Sequence, residues 1–328
     1  MMGGGHRPVL LEAVVAAINP RAQAIYVDGT FGGGGYSSGL LDAAKCTVWG
    51  IDRDPEACAR GATVAQEFDG RLLTVHGCFG DMDRLLNDHN VPNVDGVMLD
   101  LGVSSFQIDD PERGFSFRFD GPLDMRMSHD GPTVADIVND TEQTELADII
   151  YKYGEERRSR RIARAIVEAR SNTPISRTLE LADIVRDCYP PAKPGTKAID
   201  PATRTFQALR IYINDELGEL RRGLNAAENL LSAGGRLAVV SFHSLEDRIV
   251  KTFLRDRSGG ASRGSRHAPQ DVSAAQPATF TELHRRAIRP DDAETSENPR
   301  ARSARLRTAE RTGAAPWSLQ PEDIGGAA

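Results

Sequence analysis

The chain has 328 residues, of which 40% are hydrophobic and 27% are charged, and its net charge is −7. These values are typical of a globular protein with one large domain or two ordinary ones. No apolar run approaches the ~20 residues that cross a bilayer, and no signal-peptide core follows the amino-terminal residues. We therefore expect a cytoplasmic protein with no membrane partner. The cysteines are scattered without a Cys-x-x-Cys pair, which argues against a metal site or a disulfide framework.

Apolar runs that are typical of buried parallel strands alternate with helical segments in the first third of the chain. Three of these runs end in an aspartate, at Asp28, Asp52 and Asp100. This alternation predicts an α/β fold with a doubly wound, mostly parallel sheet. Ligands bind at the carboxyl ends of the strands in such sheets, so the aspartates mark a candidate site. The predicted strands are 25–28, 47–52, 72–76 and 95–101.

A long interval separates the fourth strand from the next convincing one, at 236–242. It far exceeds an ordinary crossover of about a dozen residues, so it must hold structure of its own. Asp140 and Gln143 resemble a capping box at the start of a helix. Apolar residues then recur at helical spacing, which predicts an all-helical insertion. The helical stretches are 146–153, 162–169 and 181–188.

One long helix is predicted to begin at Asp200 and to return the chain to the sheet, because an apolar stripe continues along it. The stripe consists of Phe206, Leu209, Ile213, Leu217 and Leu220. A last strand is predicted over 302–310. The predicted division is a core over 1–107, the inserted domain over 108–204, a second core part over 205–315 with a flexible loop at 258–279, and a tail over 316–328.

The glycine run after the first strand lets the backbone approach a ligand closely. Its spacing is neither that of the dinucleotide fingerprint nor that of a phosphate loop. Asp52, about twenty residues further on, can accept hydrogen bonds from ribose hydroxyls, in NAD or equally in S-adenosylmethionine. The alternative is a helix-capping acid before Pro55. Phe79 follows the third strand, where its ring either flanks an adenine or packs in the core.

Asp100 suits the transfer of a methyl group to an exocyclic amine. The lone pair of such an amine is delocalised into the base ring, so the nitrogen is a poor nucleophile. A carboxylate that accepts the amine hydrogens would draw the nitrogen toward a tetrahedral shape, and in-line positioning does most of the remaining work. A hydride-transferring enzyme would instead need a histidine or a Tyr-x-x-x-Lys set near this strand, and neither is there. We therefore predict Asp100 as the amine acceptor.

The motifs along residues 6–311 resemble the ribosomal small-subunit methyltransferase H family (MraW-type), which methylates the exocyclic N4 of a cytosine in 16S ribosomal RNA. So many long motifs in one order are highly specific. They are HRPVLL at 6–11, YVDGTFG at 26–32, IDRDP at 51–55, HGCF at 76–79, LDLGVSSFQ at 99–107, RGFSF at 113–117, GPLDMRM at 121–127, YGEER at 153–157, PATRTFQALR at 201–210, SFHSLEDR at 241–248 and NPRARS at 298–303.

The resemblance implies a class I S-adenosylmethionine-dependent methyltransferase fold with a helical domain inserted after strand four. It also implies 16S rRNA of the small ribosomal subunit as the partner, with the cytosine in the P-site of the decoding centre, while monomer and homodimer both stay open. Family members usually carry a histidine or another polar residue where this chain has Tyr36. The cofactor contacts implied by position are Gly34, Gly35, Tyr36, Asp52, Phe79, Asp100 and Gln107.

Several other side chains are candidates for binding the RNA substrate, each beside a structural alternative. Asp124 and Arg126 either place the flipped cytidine or form a loop salt bridge. Arg204 and Gln207 lie near a helix start, which favours phosphate oxygens, although capping is equally possible there. His243 follows the fifth strand and either contacts RNA or bonds within its loop.

Two arginine-rich stretches, 152–170 and 300–311, either bind phosphate or form a solvated helix face and a charged tail. In the first stretch, four arginines are predicted to follow the RNA backbone and to make binding salt-sensitive. They are Arg157, Arg158, Arg160 and Arg161.

Three other functions remain possible at the level of sequence. A nicotinamide-dependent oxidoreductase could share the strand pattern, but its glycine spacing and hydride-transfer residues are missing. A non-catalytic RNA-binding assembly factor would not need the aspartates of strands one, two and four. A methyltransferase with a small-molecule or membrane-linked substrate is compatible with the composition, and only the basic insertion favours RNA.

Overall fold

The computed structural model describes residues 8–190, 199–259 and 276–317. The chain forms two compact units. The first consists of Met1–Gly102 and Leu217–Ala328, and the second of Val103–Glu216. Among the described residues, no helix combines the length and apolarity needed to span a membrane.

The first unit is built on a seven-stranded sheet with the order β3-β2-β1-β4-β5-β7-β6. The strands from β1 to β5 pair in parallel, whereas β7 is antiparallel to both β5 and β6. The doubly wound, mostly parallel sheet predicted from the sequence is thus confirmed. The strands are β1 Ile25–Asp28, β2 Thr47–Asp52, β3 Leu72–His76, β4 Val94–Asp100, β5 Leu231–Ser241, β6 Phe280–Glu282 and β7 Arg305–Arg311.

Thirteen α-helices are found in the described parts of the chain. In chain order they are α1 Leu11–Ile18, α2 Gly35–Ala43, α3 Pro55–Ala65, α4 Met82–Asp88, α5 Ser105–Asp109, α6 Val134–Asp140, α7 Gln143–Gly154, α8 Ser159–Arg170, α9 Thr178–Asp187, α10 Ala202–Ile213, α11 Glu216–Leu230, α12 Ser244–Arg257 and α13 Asp292–Glu297.

The core of the first unit lies on both faces of the sheet. Val27, Ile51 and Val97 from three neighbouring strands are fully buried, and Leu220 and Leu224 of α11 pack in the same cluster. Parallel strands covered on both faces consist of nearly continuous apolar residues, which is why the sequence revealed them. The same packing holds the strand ends in fixed positions for the site described below.

The second unit is a helical bundle with an apolar core of its own. Leu146 of α7 is fully buried in it, and α10 adds Phe206 and Leu209 to the same cluster. The helical stretches predicted at the sequence level are present as α7, α8 and α9. The predicted insertion ends at 204, whereas the observed unit runs over Val103–Glu216, because the apolar stripe of α10 packs against these helices.

The single long helix predicted from Asp200 is wrong, because the chain breaks between α10 and α11. Asp215 adopts a left-handed conformation with φ 47°. The side chain of Asn214 donates to the carbonyl oxygen of Met125 at 2.8 Å and accepts from the amide of Met127 at 2.8 Å. A buried side chain that bonds a distant loop thus ends the helix, and local periodicity carries no sign of it.

One further prediction is wrong, one strand was missed, and two predicted segments fall mostly outside the described residues. The capping box at Asp140 and Gln143 is wrong, since Glu142 precedes α7 and makes no capping bond. The edge strand β6 was not predicted. The flexible loop and the tail fall largely on residues 260–275 and 318–328, which lie outside the described residues. Of the tail, Trp317 is described, with its ring 4.1 Å from the guanidinium of Arg257.

Replacing Asn214 should test how strongly this break is held. Asn214→Ala leaves the buried amide of Met127 without its acceptor, which should lower the free energy of unfolding by about 1–3 kcal/mol. Chemical denaturation followed by circular dichroism measures the change. Asn229→Ala, at an exposed position of α11, is the control and should leave stability nearly unchanged. Equal stability of the two variants would contradict this account.

Candidate active site at the strand ends

Three carboxylates lie at the carboxyl end of the sheet. Asp28, Asp52 and Asp100 end β1, β2 and β4. Because β1 lies between β2 and β4 and pairs in parallel with both, the three side chains meet at one edge. This edge is also where the strand order reverses, since β1 connects outward to β2 while β4 lies on its other side. Such a switch point is the usual binding crevice of an open α/β sheet.

Asp28 is almost completely buried and joins β1 to the next helix. Its Oδ2 accepts a hydrogen bond from the hydroxyl of Ser37 on α2 at 2.8 Å, and its Oδ1 accepts one from the amide of Thr30 at 3.4 Å. Burial disfavours the ionised form and raises the pKa of Asp28 to about 6, more than these hydrogen bonds offset.

Asp100 carries the clearest sign of a missing partner. Its amide donates to the hydroxyl of Thr30 at 2.6 Å, which fixes its backbone. Its Oδ1 is buried, yet no hydrogen-bond partner for it exists in the part of the chain that the structure describes. Burial, together with the negative charges of Asp28 and Glu246, raises the pKa of Asp100 well above its usual value. A buried acceptor of this kind calls for a donor or a cation from a ligand.

Asp52 binds a backbone amide of the first turn, which is the turn that follows β1. Its Oδ2 accepts from the amide of Gly32 at 2.7 Å and its Oδ1 from the amide of Asp54 at 2.8 Å. The N-cap of α3 is Asp54, which accepts from the amide of Glu56, so the helix-capping role considered for Asp52 belongs to its neighbour. Burial raises the pKa of Asp52 despite these bonds. Each carboxylate oxygen keeps a second lone pair, which can accept a ribose hydroxyl.

The glycine run has reasons of its own within the fold. Gly34 has φ +74°, and a Cβ there would lie 2.7 Å from the ring of Phe31. A Cβ on Gly35 would lie 2.2 Å from Pro8. The buried Tyr36 donates its hydroxyl hydrogen to the carbonyl oxygen of Val9. Since its side chain is engaged inside the protein, a cofactor contact at position 36 would have to use the backbone.

The turn after β3 places Phe79 at the same sheet edge, in the 3-10 segment Phe79–Asp81. The ring is partly buried against the core. It packs closely on α11, since a Cβ on Gly223 would lie 2.3 Å from the ring. The packed side of the ring supports a role in the core. The residue is not fully buried, which also leaves room for a contact with adenine.

His243 caps α12 at the turn after β5. Its Nδ1 accepts from the amide of Glu246 at 3.4 Å, which requires an unprotonated Nδ1 and puts the ring proton of the neutral form on Nε2. Glu246 accepts in return from the amide of Phe242 at 2.8 Å. The Nε2 lies 3.2 Å from Glu246 Oε1 but does not meet hydrogen-bond geometry. These contacts show the structural role that was considered for His243.

Most of the remaining candidates lie in the second unit, where each has a partner inside that unit. Gln107 is buried and completes a capping box with Ser104 at the start of α5. Gln207 donates to the carbonyl oxygen of Tyr153 at 3.2 Å. Arg204 is exposed and makes one long bond, 3.4 Å, to the carbonyl oxygen of Glu155.

Asp124 and Arg126 form a closed pair in a loop of the second unit. The guanidinium donates twice to the carboxylate, at 2.9 and 2.8 Å, and also to the carbonyl oxygens of His129 and Gly131. Although burial opposes ionisation, Arg126 lowers the pKa of Asp124. The structure therefore contains the loop salt bridge that was the structural alternative for this pair.

The two arginine-rich stretches differ in what their side chains contact. In the second stretch, Arg305 and Arg307 pair with Asp247 at 2.6 and 2.7 Å, and Arg311 is buried. This stretch thus serves mainly to hold the first unit together. In the first stretch, Arg158 is structural as well, with its guanidinium 4.6 Å from the ring of Tyr189.

Four other arginines of the first stretch are exposed and form no ion pair within residues 8–190, 199–259 and 276–317. One of them was not among the predicted RNA contacts, because its place on the helix surface becomes evident only once α8 is seen to begin at Ser159. The four are Arg157, Arg160, Arg161 and Arg164.

Sequence reasoning missed three side chains that shape the site. Thr30 joins Asp28 to Asp100, Ser37 fixes the carboxylate of Asp28, and Glu246 holds the turn after β5. Thr30 follows Asp28 by two residues, a spacing that is typical of side-chain turns and could have revealed it. Glu246 follows His243 by three residues, which is the spacing of a capping box, whereas the bond of Ser37 to Asp28 depends on packing and left no local signal.

The raised pKa of Asp28 predicts a pH-dependent stability. The group binds its proton more tightly in the fold than in the unfolded chain, whose value is 3.8, so stability falls as pH rises from about 4 to 6. At neutral pH the penalty should approach about 3 kcal/mol. Asp28→Asn, whose amide oxygen still accepts from Ser37, should raise the melting temperature at neutral pH, and the difference should vanish below about pH 4.

Thermal unfolding across this pH range, without cofactor, measures the effect. Asp42→Asn removes an exposed carboxylate from α2 and is the matched control, expected to change little. A pH-independent difference between Asp28→Asn and the unmodified protein would show that burial of this charge does not limit stability.

Comparisons with known proteins identify the family of the chain. The model of the MraW methylase family matches residues 4–312. The ribosomal RNA small subunit methyltransferase H of Paramagnetospirillum magneticum is 60% identical over 95% of this chain and 97% of its own. The protein of the same name from Rhodospirillum centenum is 62% identical over 94% and 93%. A putative rRNA-methylase of Clostridium thermocellum has a TM-score of 0.42 at 13% identity, covering 94% of this chain and 99% of its own.

The site fits the cofactor that this family uses, because buried carboxylates and an acceptor without a partner suit a cationic, hydroxyl-bearing ligand. The chain belongs to the MraW methylase family, with a class I methyltransferase fold and S-adenosylmethionine as its cofactor.

Proposed function

We propose that this protein methylates the exocyclic N4 of a cytosine in the P-site of the decoding centre of 16S rRNA, using S-adenosylmethionine. The observation that carries the proposal is the buried Oδ1 of Asp100, which lacks a partner among the described residues. The names of the relatives support the RNA class, since they are ribosomal RNA small subunit methyltransferases. Membership of a methylase family removes the nicotinamide-dependent alternative.

Asp100 is the proposed amine acceptor. It lies at the end of β4 with its backbone fixed by Thr30, so its carboxylate is held in place before substrate arrives. Burial and nearby acids favour its neutral form, but the sulfonium charge of the bound cofactor would lower its pKa again. An ionised Asp100 can then accept hydrogen bonds from the amine group of cytosine. The cofactor supplies the electrophilic methyl group.

The proposed cofactor contacts divide by chemistry. Asp52 accepts the ribose hydroxyls with the lone pairs left free by Gly32 and Asp54. Phe79 lies beside the adenine. Backbone groups of the first turn approach the rest of the molecule, and the contact at Gln107 stays a prediction from the family resemblance. The backbone groups are those of Gly34, Gly35 and Tyr36.

The proposed RNA contact is the exposed arginine face, which we define as Arg157, Arg160, Arg161 and Arg164. A cytosine inside a helix cannot present N4 to the site, so the enzyme must hold the base unstacked and grip the flanking backbone. Exposed arginines without acidic partners suit phosphate groups. Substrate contacts at Asp124, Arg126, Arg204, Gln207 and His243 stay predictions, since the contacts seen for these side chains lie within their own units.

Replacing Asp100 tests the chemistry. Asp100→Asn keeps the shape but weakens the acceptor, and we expect kcat to fall by about 100-fold. The assay is tritiated methyl transfer to small subunits from a strain that lacks this methylase, followed by nucleoside mass spectrometry for N4-methylcytidine. Asp95→Asn, near the amino-terminal end of β4, is the control and should retain kcat.

The outcomes separate the alternatives. Methyl transfer to another nucleoside, or none by the unmodified protein, contradicts the proposed function, and the second result favours a non-catalytic assembly factor. A normal kcat in Asp100→Asn contradicts only the acceptor role. Calorimetry with S-adenosylhomocysteine shows whether Asp100 also contributes to cofactor affinity.

Removing the arginine face tests RNA recognition. Changing its members to alanine should weaken RNA binding and reduce the slope of log affinity against log salt by about 0.7 for each lost phosphate contact. Affinity for S-adenosylhomocysteine should not change. The control removes the same charge from exposed arginines of the first unit. It combines alanine substitutions at Arg84, Arg255, Arg286 and Arg302.

Filter binding at several salt concentrations measures both variants. An equal loss in the control would mean that net charge, not the arginine face, governs binding. A loss of cofactor binding in the arginine-face variant would contradict the assignment of this face to RNA.

A further inference from the structure

A buried glutamate on α11 reaches the turn that follows β3. Glu219 accepts a hydrogen bond from the amide of Gly80 through Oε1, at 2.7 Å. Both residues are buried, and Gly80 belongs to the 3-10 segment Phe79–Asp81. The second oxygen of Glu219 accepts from Arg222 at 3.0 Å, one turn further along the same helix. The carboxylate is thereby oriented toward the turn.

The turn and the helix fit together without spare room. A Cβ on Gly80 would lie 3.1 Å from the Cβ of Arg222 and 3.2 Å from the carboxyl group of Glu219. One turn after Glu219, Gly223 leaves space for the ring of Phe79. On the other side, a Cβ on Gly29 at the end of β1 would lie 3.1 Å from the Cβ of Phe79. Helix α11 and the first turn thus enclose Phe79 from two sides.

Stability accounts for an acceptor in this place, because a buried amide without a partner is costly. It does not by itself require a charged acceptor, since burying a carboxylate also has a desolvation cost. What the carboxylate adds is a strong, directed acceptor for one backbone amide. That amide belongs to the residue directly after Phe79.

We propose that Glu219 is a positioning residue for the adenine of the cofactor and acts through the turn that carries Phe79. The inference rests on the proposed place of the adenine beside Phe79. Glu219 itself does not touch the ligand. It holds the backbone of Gly80, and this fixes the height and tilt of the Phe79 ring at the sheet edge.

The test uses calorimetry with the full-length protein and two ligands, S-adenosylhomocysteine and 5′-methylthioadenosine, which keeps the adenine and ribose but lacks the amino acid. Glu219→Ala leaves the Gly80 amide without its acceptor and should weaken both ligands by the same factor, about tenfold, or ~1.4 kcal/mol. Glu219→Gln keeps an oxygen acceptor and should restore the affinity. Glu219→Asp withdraws the carboxylate by one methylene and should show an intermediate loss.

Kinetics give a second readout. The KM for S-adenosylmethionine should rise in Glu219→Ala while kcat changes little, as expected when binding is lost equally from ground and transition states. RNA affinity should not change. A merely structural role would lower the melting temperature without this separation of KM from kcat.

Glu228 provides the matched control on the same helix. It is also buried, and it accepts from the hydroxyl of Thr279 at 2.5 Å and pairs with Arg257 at 3.0 Å, away from the turn after β3. Glu228→Ala should lower the melting temperature but leave both ligand affinities unchanged. This comparison separates a general loss of packing from a loss at the adenine side.

Normal ligand affinity in Glu219→Ala would overturn the inference, as would an equal loss in Glu228→Ala or a failure of Glu219→Gln to restore binding. None of these results tests the proposed function, which is decided by the identity of the methylated nucleoside. Conversely, a product other than N4-methylcytidine would contradict the proposed function while these affinities stay informative.

Discussion

The burial of negative charge at one sheet edge is the constraint on which the rest of the site depends. The register of β1 between β2 and β4 forces three aspartates together, and packing on both faces of the sheet keeps water from solvating them fully. Neighbouring backbone amides and hydroxyls bond Asp28 and Asp52, but Oδ1 of Asp100 has no hydrogen-bond partner among the described residues. The buried negative charge at this edge therefore favours the binding of a cationic cofactor.

Each unit pairs some of its arginines with acids, and the second unit also carries the arginine face. In the first unit Arg305 and Arg307 share the carboxylate of Asp247, and the buried Arg311 donates to the carbonyl oxygens of Glu228 and Thr279. In the second unit the arginine face is left without acidic partners among the described residues. The chain thus carries a local surface suited to an anionic polymer despite its net charge of −7.

Prediction succeeded where the physical cause was local. The strands β1, β2 and β3 were placed at their observed bounds, because continuous apolar runs ending in Asp28, Asp52 and a histidine carry their own signal. Prediction failed where distant partners decide. Asn214 ends α10 through bonds to a loop almost ninety residues earlier in the chain. The pairing of Asp247 with two strand arginines and the contact of Glu219 with Gly80 are likewise visible only in three dimensions.

Trp317, at the end of the described chain, packs against the first unit. Trp317 covers the guanidinium of Arg257, which is also bound by Glu228, and its indole donates to the carbonyl oxygen of Pro277 at 2.8 Å. The residues after β7 therefore cover the ion pair of Arg257 with Glu228 of α11. Anyone who shortens this protein for crystallisation should cut beyond Trp317, because an earlier cut would admit water to a buried ion pair.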